Sequence, residues 1–130
     1  MSARLSRAQK ETTMLSVLQK LVLTLLFVMA FTQKSDGQFQ QWCIADEQTP
    51  DDVLQHALDW ACSQKNVDSR KLQINQPCFL PNTLRDHASY AFNSYYQNYK
   101  HKGGSCYFNG AAMTTELDPS HGSCKFEYIP

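Results

Sequence analysis

Hydrophobic and polar positions alternate along this chain in three distinct ways. Leu21–Phe31 reads LVLTLLFVMAF, a nearly unbroken apolar run. Further on, Val53, Leu54, Ala57, Leu58 and Ala61 recur at helical spacing, as do Leu84, Ala88, Ala91, Phe92, Tyr95 and Tyr99. Both stripes predict helices with one buried face. Short β-type runs follow at Ser105–Phe108, Ala111–Thr115 and Cys124–Tyr128. Asn109-Gly110, between the first two, is a hairpin signal.

Local chemistry places the ends of these elements. Thr49-Pro50-Asp51-Asp52 predicts a helix start, with the Thr hydroxyl as cap, Pro in the first turn and two carboxylates at the positive end of the dipole. That helix is expected to end near Gln64. The second starts after Pro81-Asn82-Thr83, with Thr83 as cap and Asp86 three residues on. Gln38–Gln48 is polar and reads as an extended lead-in, Asn66–Pro81 as a loop, and Gly103-Gly104 as a turn. The fold class is therefore α+β: a small disulfide-stapled domain of two packed helices and a small antiparallel sheet.

The apolar run changes the domain count. Arg4, Arg7, Lys10 and Lys20 precede it and TQKSDG follows it, the layout of a secretory signal peptide. The run itself is shorter than the roughly 20 apolar residues that span a bilayer. Small residues at Ser35 and Gly37 place cleavage after Gly37, with a site near Ala30, translation from Met14 or retention as an anchor as alternatives. The division is a signal peptide at 1–37 and one folded domain at 38–130, with its core at 42–125. No hydrophobic tail closes the chain at KFEYIP, so no C-terminal lipid anchor is expected.

Charge and cysteines narrow the function. Residues 38–130 carry seven Lys/Arg against ten Asp/Glu, a net charge of −3. No basic stripe is available for phosphates, so nucleic acid is not an expected partner. All five cysteines, at 43, 62, 78, 106 and 124, lie in this domain. That suits a small secreted fold that needs staples. Five is odd, so two bridges leave a thiol over, and the residues alone leave the pairing open. No C-x-x-C, no H-E-x-x-H and no zinc-like spacing occurs, so neither redox chemistry, a metal nor another cofactor is expected. A glycosidase needs two flanking carboxylates. Asp51, Asp52, Asp86 and Asp118 are each better explained as helix-start, cap or turn residues, and the common barrel scaffold needs about 250 residues. Catalysis is not expected.

The aromatics are more informative. Tyr90 and Tyr96 lie off the apolar stripe of the second helix and are expected at the surface. A tyrosine ring offers a flat apolar face with one hydroxyl, which suits the C–H face of a sugar. Asn93, Ser94, Gln97 and Asn98 could hydrogen-bond sugar hydroxyls.

Several strings then resemble one known family: Trp42-Cys43, LDWAC at 58–62, CFLPNT at 78–83, HASYAFNSYYQ at 87–97, GSCYFNGAA at 104–112 and DPSHGSC at 118–124. Together they resemble carbohydrate-binding module family 43, the plant cysteine-rich module of some endo-1,3-β-glucanases and of plasmodesmal callose-binding proteins. The resemblance implies a secreted, non-catalytic β-1,3-glucan (callose) binder of the apoplast or cell wall, plasmodesmata included, and a monomer is expected. It implies bridges Cys43–Cys106 and Cys78–Cys124. The family's remaining bridge would join Cys62 to a position that holds Ser69 here, which leaves Cys62 as a free thiol. The glucan-contact candidates are Trp42, Tyr90, Asn93, Tyr96 and Gln97. The competing reading is a secreted protein–protein module on the same scaffold.

Overall fold

A computed structural model describes residues 2–31 and 39–130. The chain divides into two units, 1–37 and 38–130. The expected cleavage point after Gly37, with Ser35 and Gln38, lies outside the described residues.

The first unit is one helix, α1 (Ser2–Phe31). It runs well upstream of Leu21, because Leu15, Val17 and Leu18 continue the apolar character toward the N-terminus. Within it, Arg7–Phe31 is long and apolar enough to cross a membrane by length and composition, with a mean hydropathy of 2.1 in its most apolar window. A secretory leader near the N-terminus meets the same criterion.

The second unit holds strand β1 (Trp42–Ala45), helix α2 (Asp51–Cys62), helix α3 (Leu84–Tyr99) and strand β2 (Ala112–Thr115). α2 begins one residue after Pro50, whose φ of −59° is preset for a helix start. Asp51 and Asp52 occupy its first turn, but no side chain caps it, so Thr49 does not have the capping role expected of it. α3 is capped as read: the Thr83 hydroxyl accepts from the Asp86 N–H at 3.1 Å and donates to the Asp86 carboxylate. Between the helices, Ser69–Leu72 forms a short 3-10 turn started by Asp68.

The sheet is assembled differently from the sequence expectation. β1, read as a plain lead-in, is a strand and pairs antiparallel with β2, Trp42 opposite Thr115 and Ala45 opposite Ala112. Ser105–Phe108 is not a strand. Asn109 and Gly110 carry the positive φ angles, 55° and 85°, that a type I′ turn requires. The residues before that turn coil inward instead of pairing, because Phe108 sends its ring onto Phe92 in the core, with stacked centroids 4.1 Å apart. Cys124–Tyr128 is also not a strand. Side chains of α3 hold that tail in place of a backbone ladder: Asn93 donates to Glu127 O, and Gln97 accepts from the Ile129 N–H.

Two apolar clusters form the interior. One joins Leu54, Leu58 and Ala61 of α2 to Ala88, Ala91 and Phe92 of α3 and to Cys43 and Ala45 of β1. The other gathers Trp42, Cys78, Tyr90, Cys124 and Phe126. One disulfide sits in each: Cys43–Cys106 and Cys78–Cys124. The α3 helix is thus buried on two sides, which explains why its polar residues Asn93 and Gln97 are interior.

Candidate functional site

The structure brings the five sequence-nominated residues close to one another, but mostly inside. Trp42 and Tyr90 are each only 4% exposed. Trp42 packs on Tyr128 at 5.9 Å between centroids. Tyr90 meets Phe126 edge to face at 5.6 Å, and burial pushes its phenol pKa up. Asn93 accepts from the Cys43 N–H at 3.1 Å. Gln97 donates to Gln41 O at 2.9 Å and accepts from Lys100 Nζ at 2.7 Å. Asn93 and Gln97 are thus committed to holding β1 and the C-terminal tail. Tyr96 is half-buried, with Lys100 Nζ 5.7 Å from its ring centre and 4.5 Å from that of Tyr128. The expected exposure of Tyr90 fails because the residue off the first apolar stripe faces a second core cluster, not solvent.

An aromatic groove lies elsewhere. It has a volume of about 590 Å³ and is lined by Val53, His56, Ala57 and Trp60 of α2, by Tyr95 of α3 and by residues 103–105 and 107–109. Trp60 is 48% exposed and Tyr107 65% exposed. Trp60 is braced from behind: Tyr95 meets it edge to face at 5.0 Å and Phe108 at 5.8 Å. Tyr95 stacks in turn on Tyr99 at 4.7 Å, and the Tyr99 hydroxyl donates to Lys65 O at 2.7 Å. The opposite lip is fixed by Cys106, bonded to the fully buried Cys43, immediately before Tyr107.

Glycine makes the close approach possible. A Cβ on Gly104 would stand 2.5 Å from the Tyr99 Cβ, so only glycine lets residues 103–105 lie against α3. Gly103 supplies the left-handed turn before it, at φ 87°.

Chemically this is a shaped, mainly apolar cleft with two exposed rings and a few polar groups, among them His56, Ser105 and Asn109. Among the described residues no Lys, Arg, Asp or Glu lines it. Carboxylates gather instead around a separate cleft, where Asp46, Glu47 and Asp86 lie with Arg85, whose guanidinium donates to Asp46 O. Among the described residues no three His, Cys, Asp or Glu are grouped to hold a metal ion.

Trp60 and Tyr107 were not among the five candidates named from the sequence. The signal for Trp60 was its place on α2: seven residues after Val53 and three after Ala57, it lies at the edge of the apolar stripe, where the core covers a large ring only in part. Tyr107 was masked by its assignment to a strand.

Cys62 is the free thiol among the described cysteines. Burial pushes its pKa above the usual value, and the nearby Ser69 hydroxyl and Asp59 carboxylate have smaller, opposing effects. The Ser69 oxygen is itself shielded from solvent without a partner in good hydrogen-bond geometry.

Comparison with known proteins settles the family. The X8 domain matches residues 41–113. The chain belongs to the X8 family. This is the plant module whose strings the sequence resembles as carbohydrate-binding module family 43. The X8 match takes in the two helices, β1 and every residue that lines the groove. The chain is 48% identical over 91 residues to glucan endo-1,3-beta-glucosidase 12 of Arabidopsis thaliana, covering 70% of this chain and 17% of that protein. It is 44% identical over 87 residues to the major pollen allergen Ole e 10 of Olea europaea, covering 67% of this chain and 71% of the allergen. It is 36% identical over 110 residues to plasmodesmata callose-binding protein 5 of Arabidopsis thaliana, covering 82% and 61%. The X8 chain thus spans less than a fifth of the length of its glucosidase relatives. No solved structure matches it.

Proposed function

We propose that residues 38–130 form a secreted, non-catalytic module that binds β-1,3-glucan, with callose of the plant cell wall as the natural polymer. The observation that carries this reading is the groove with Trp60 and Tyr107 exposed and, among the described residues, no Lys, Arg, Asp or Glu along it. An aromatic face takes up the C–H face of a pyranose ring, while neutral polar groups at the rim meet its hydroxyls. Relatives named for 1,3-β-glucan hydrolysis and for callose binding support the same polymer. In the hydrolase relatives the matched segment is 17 or 18% of the protein, a share that suits an attached binding module. Trp42, Tyr90, Asn93 and Gln97 then serve the scaffold that holds the groove rather than the glucan. The α1 helix acts as the secretory leader, and two disulfides suit an oxidising exterior.

The test pairs binding with catalysis. The secreted protein should be retained on insoluble β-1,3-glucan and should release no reducing sugar from laminarin. Failure of retention would favour a protein-binding role for the module, and sugar release would make it an enzyme.

A further inference from the structure

Stacking on Trp60 does not fix which way a sugar ring lies, so the groove needs donors or acceptors of fixed direction. The segment Tyr107–Asn109 has them in its main chain. Tyr107 is right-handed, at φ −103° and ψ −55°, and Phe108 follows in the left-handed region at φ 48°. A right-handed residue followed by a left-handed one turns successive N–H groups toward one concave side. The N–H groups of Gly110 and Ala111 close the turn, on Tyr107 O at 2.9 Å and Phe108 O at 3.0 Å. Those of Tyr107, Phe108 and Asn109 have no acceptor among the described residues. All three residues line the groove that Trp60 lines.

Phe108 is a costly residue to hold at positive φ, since its Cβ crowds the backbone there. The stacked contact with Phe92 at 4.1 Å and the edge contacts with Trp60 and Tyr95 hold it in place. Strain in a bulky residue is tolerated where the surroundings over-determine it, and here the three residues whose N–H groups lack a protein acceptor line a cleft with no Lys or Arg among the described residues. Free N–H groups without a neighbouring cation suit a neutral oxygen-rich ligand better than a polyanion.

We infer that the backbone amides of Tyr107, Phe108 and Asn109 are the orienting half of the site. They donate hydrogen bonds to hydroxyl or ring oxygens of a single sugar unit whose C–H face lies on Trp60. The inference rests on the glucan reading above. It makes orientation a property of the main chain, set by the Phe108 conformation rather than by a polar side chain.

The experiment is an amide NMR titration of the ¹⁵N-labelled secreted protein with laminarihexaose. The Trp60 indole signal, assigned through Trp60→Phe, is read in the same samples. The three amides should move downfield in step with the indole, and their hydrogen exchange should slow by about tenfold or more at saturation. An indole that responds while all three amides stay fixed overturns the inference and leaves glucan binding standing. If neither responds, both readings fall. A parallel titration with inorganic phosphate that shifts these amides more than the hexaose does would assign them to an anion and overturn the inference.

Discussion

Trp60 stands edge to face against Tyr95, with ring centroids 5.0 Å apart and planes at 67°. The contact joins α2 to α3 at the groove wall and leaves the indole about half exposed. It also gives Tyr95 a role distinct from contact with ligand, namely to hold the indole plane. Replacing Tyr95 by Ala removes that brace. Glucan affinity should fall by about 0.5–1.5 kcal/mol, the usual worth of such a ring pair. The near-UV circular dichroism of the indole should weaken with it. An unchanged near-UV signal would mean that Trp60 is fixed by Phe108 alone.

Tyr90 and Asn93 should behave as stability residues. Tyr90→Ala empties a site in the cluster around Cys78–Cys124 and should cost about 3–5 kcal/mol of unfolding free energy. Asn93→Leu leaves the buried Cys43 N–H without its acceptor and should cost about 1–3 kcal/mol. Chemical denaturation measures both. At temperatures where each variant remains folded, retention on glucan should match the parent.

How much of this was legible in the sequence depends on what each signal reports. The two helices, the Thr83 cap and the α+β class follow from local periodicity and capping, which the chain carries at the positions concerned. The Asn109-Gly110 turn was also read at its correct place. Of the two runs beside it, Ala111–Thr115 is a strand as read and Ser105–Phe108 is not, because pairing is decided by where Phe108 and Cys106 are drawn, and those are contacts with residues far off in sequence. Tyr90 and Tyr96 were expected at the surface, with Asn93 and Gln97 as hydrogen-bonding candidates, because a helix packed on two sides looks amphipathic to a single-stripe reading. The groove was illegible for a related reason: Trp60 continues the edge of the α2 stripe beside Val53 and Ala57, and periodicity does not separate a groove wall from core.

Cys62 and Ser69 mark a place where a third bridge is absent. Ser69→Cys should join Cys62 in a disulfide, remove the last free thiol and stabilise the domain by about 2–3 kcal/mol through closure of a short loop. Mass spectrometry without reductant should lose its single alkylation adduct. In the parent, burial pushes the Cys62 pKa above the usual thiol value. The folded state therefore holds the proton more tightly than the unfolded chain. That contribution is complete below the unfolded thiol pKa and fades as pH rises through the folded one. Alkylation near neutral pH should accordingly be slower than for the same cysteine in denaturant, and should accelerate as the solution becomes alkaline. Equal rates at neutral pH would show that the thiol is not shielded.

Gly104→Ala tests the close approach of residues 103–105 to α3. A methyl group 2.5 Å from the Tyr99 Cβ must push these residues away. The cost should be about 1–3 kcal/mol of stability, in the range of other overpacked sites. Because these residues form one side of the groove, glucan retention should fall as well, even in the folded fraction.

The most direct measurement compares the parent with Trp60→Ala/Tyr107→Ala for retention on insoluble β-1,3-glucan, with circular dichroism as the control for folding. Both side chains are substantially exposed, so the double variant should fold. Aromatic stacking on flat ligands is worth about 1–3 kcal/mol per ring, so retention should fall by at least about tenfold. A folded double variant that binds the glucan as tightly as the parent would contradict the assignment of this groove as the binding site.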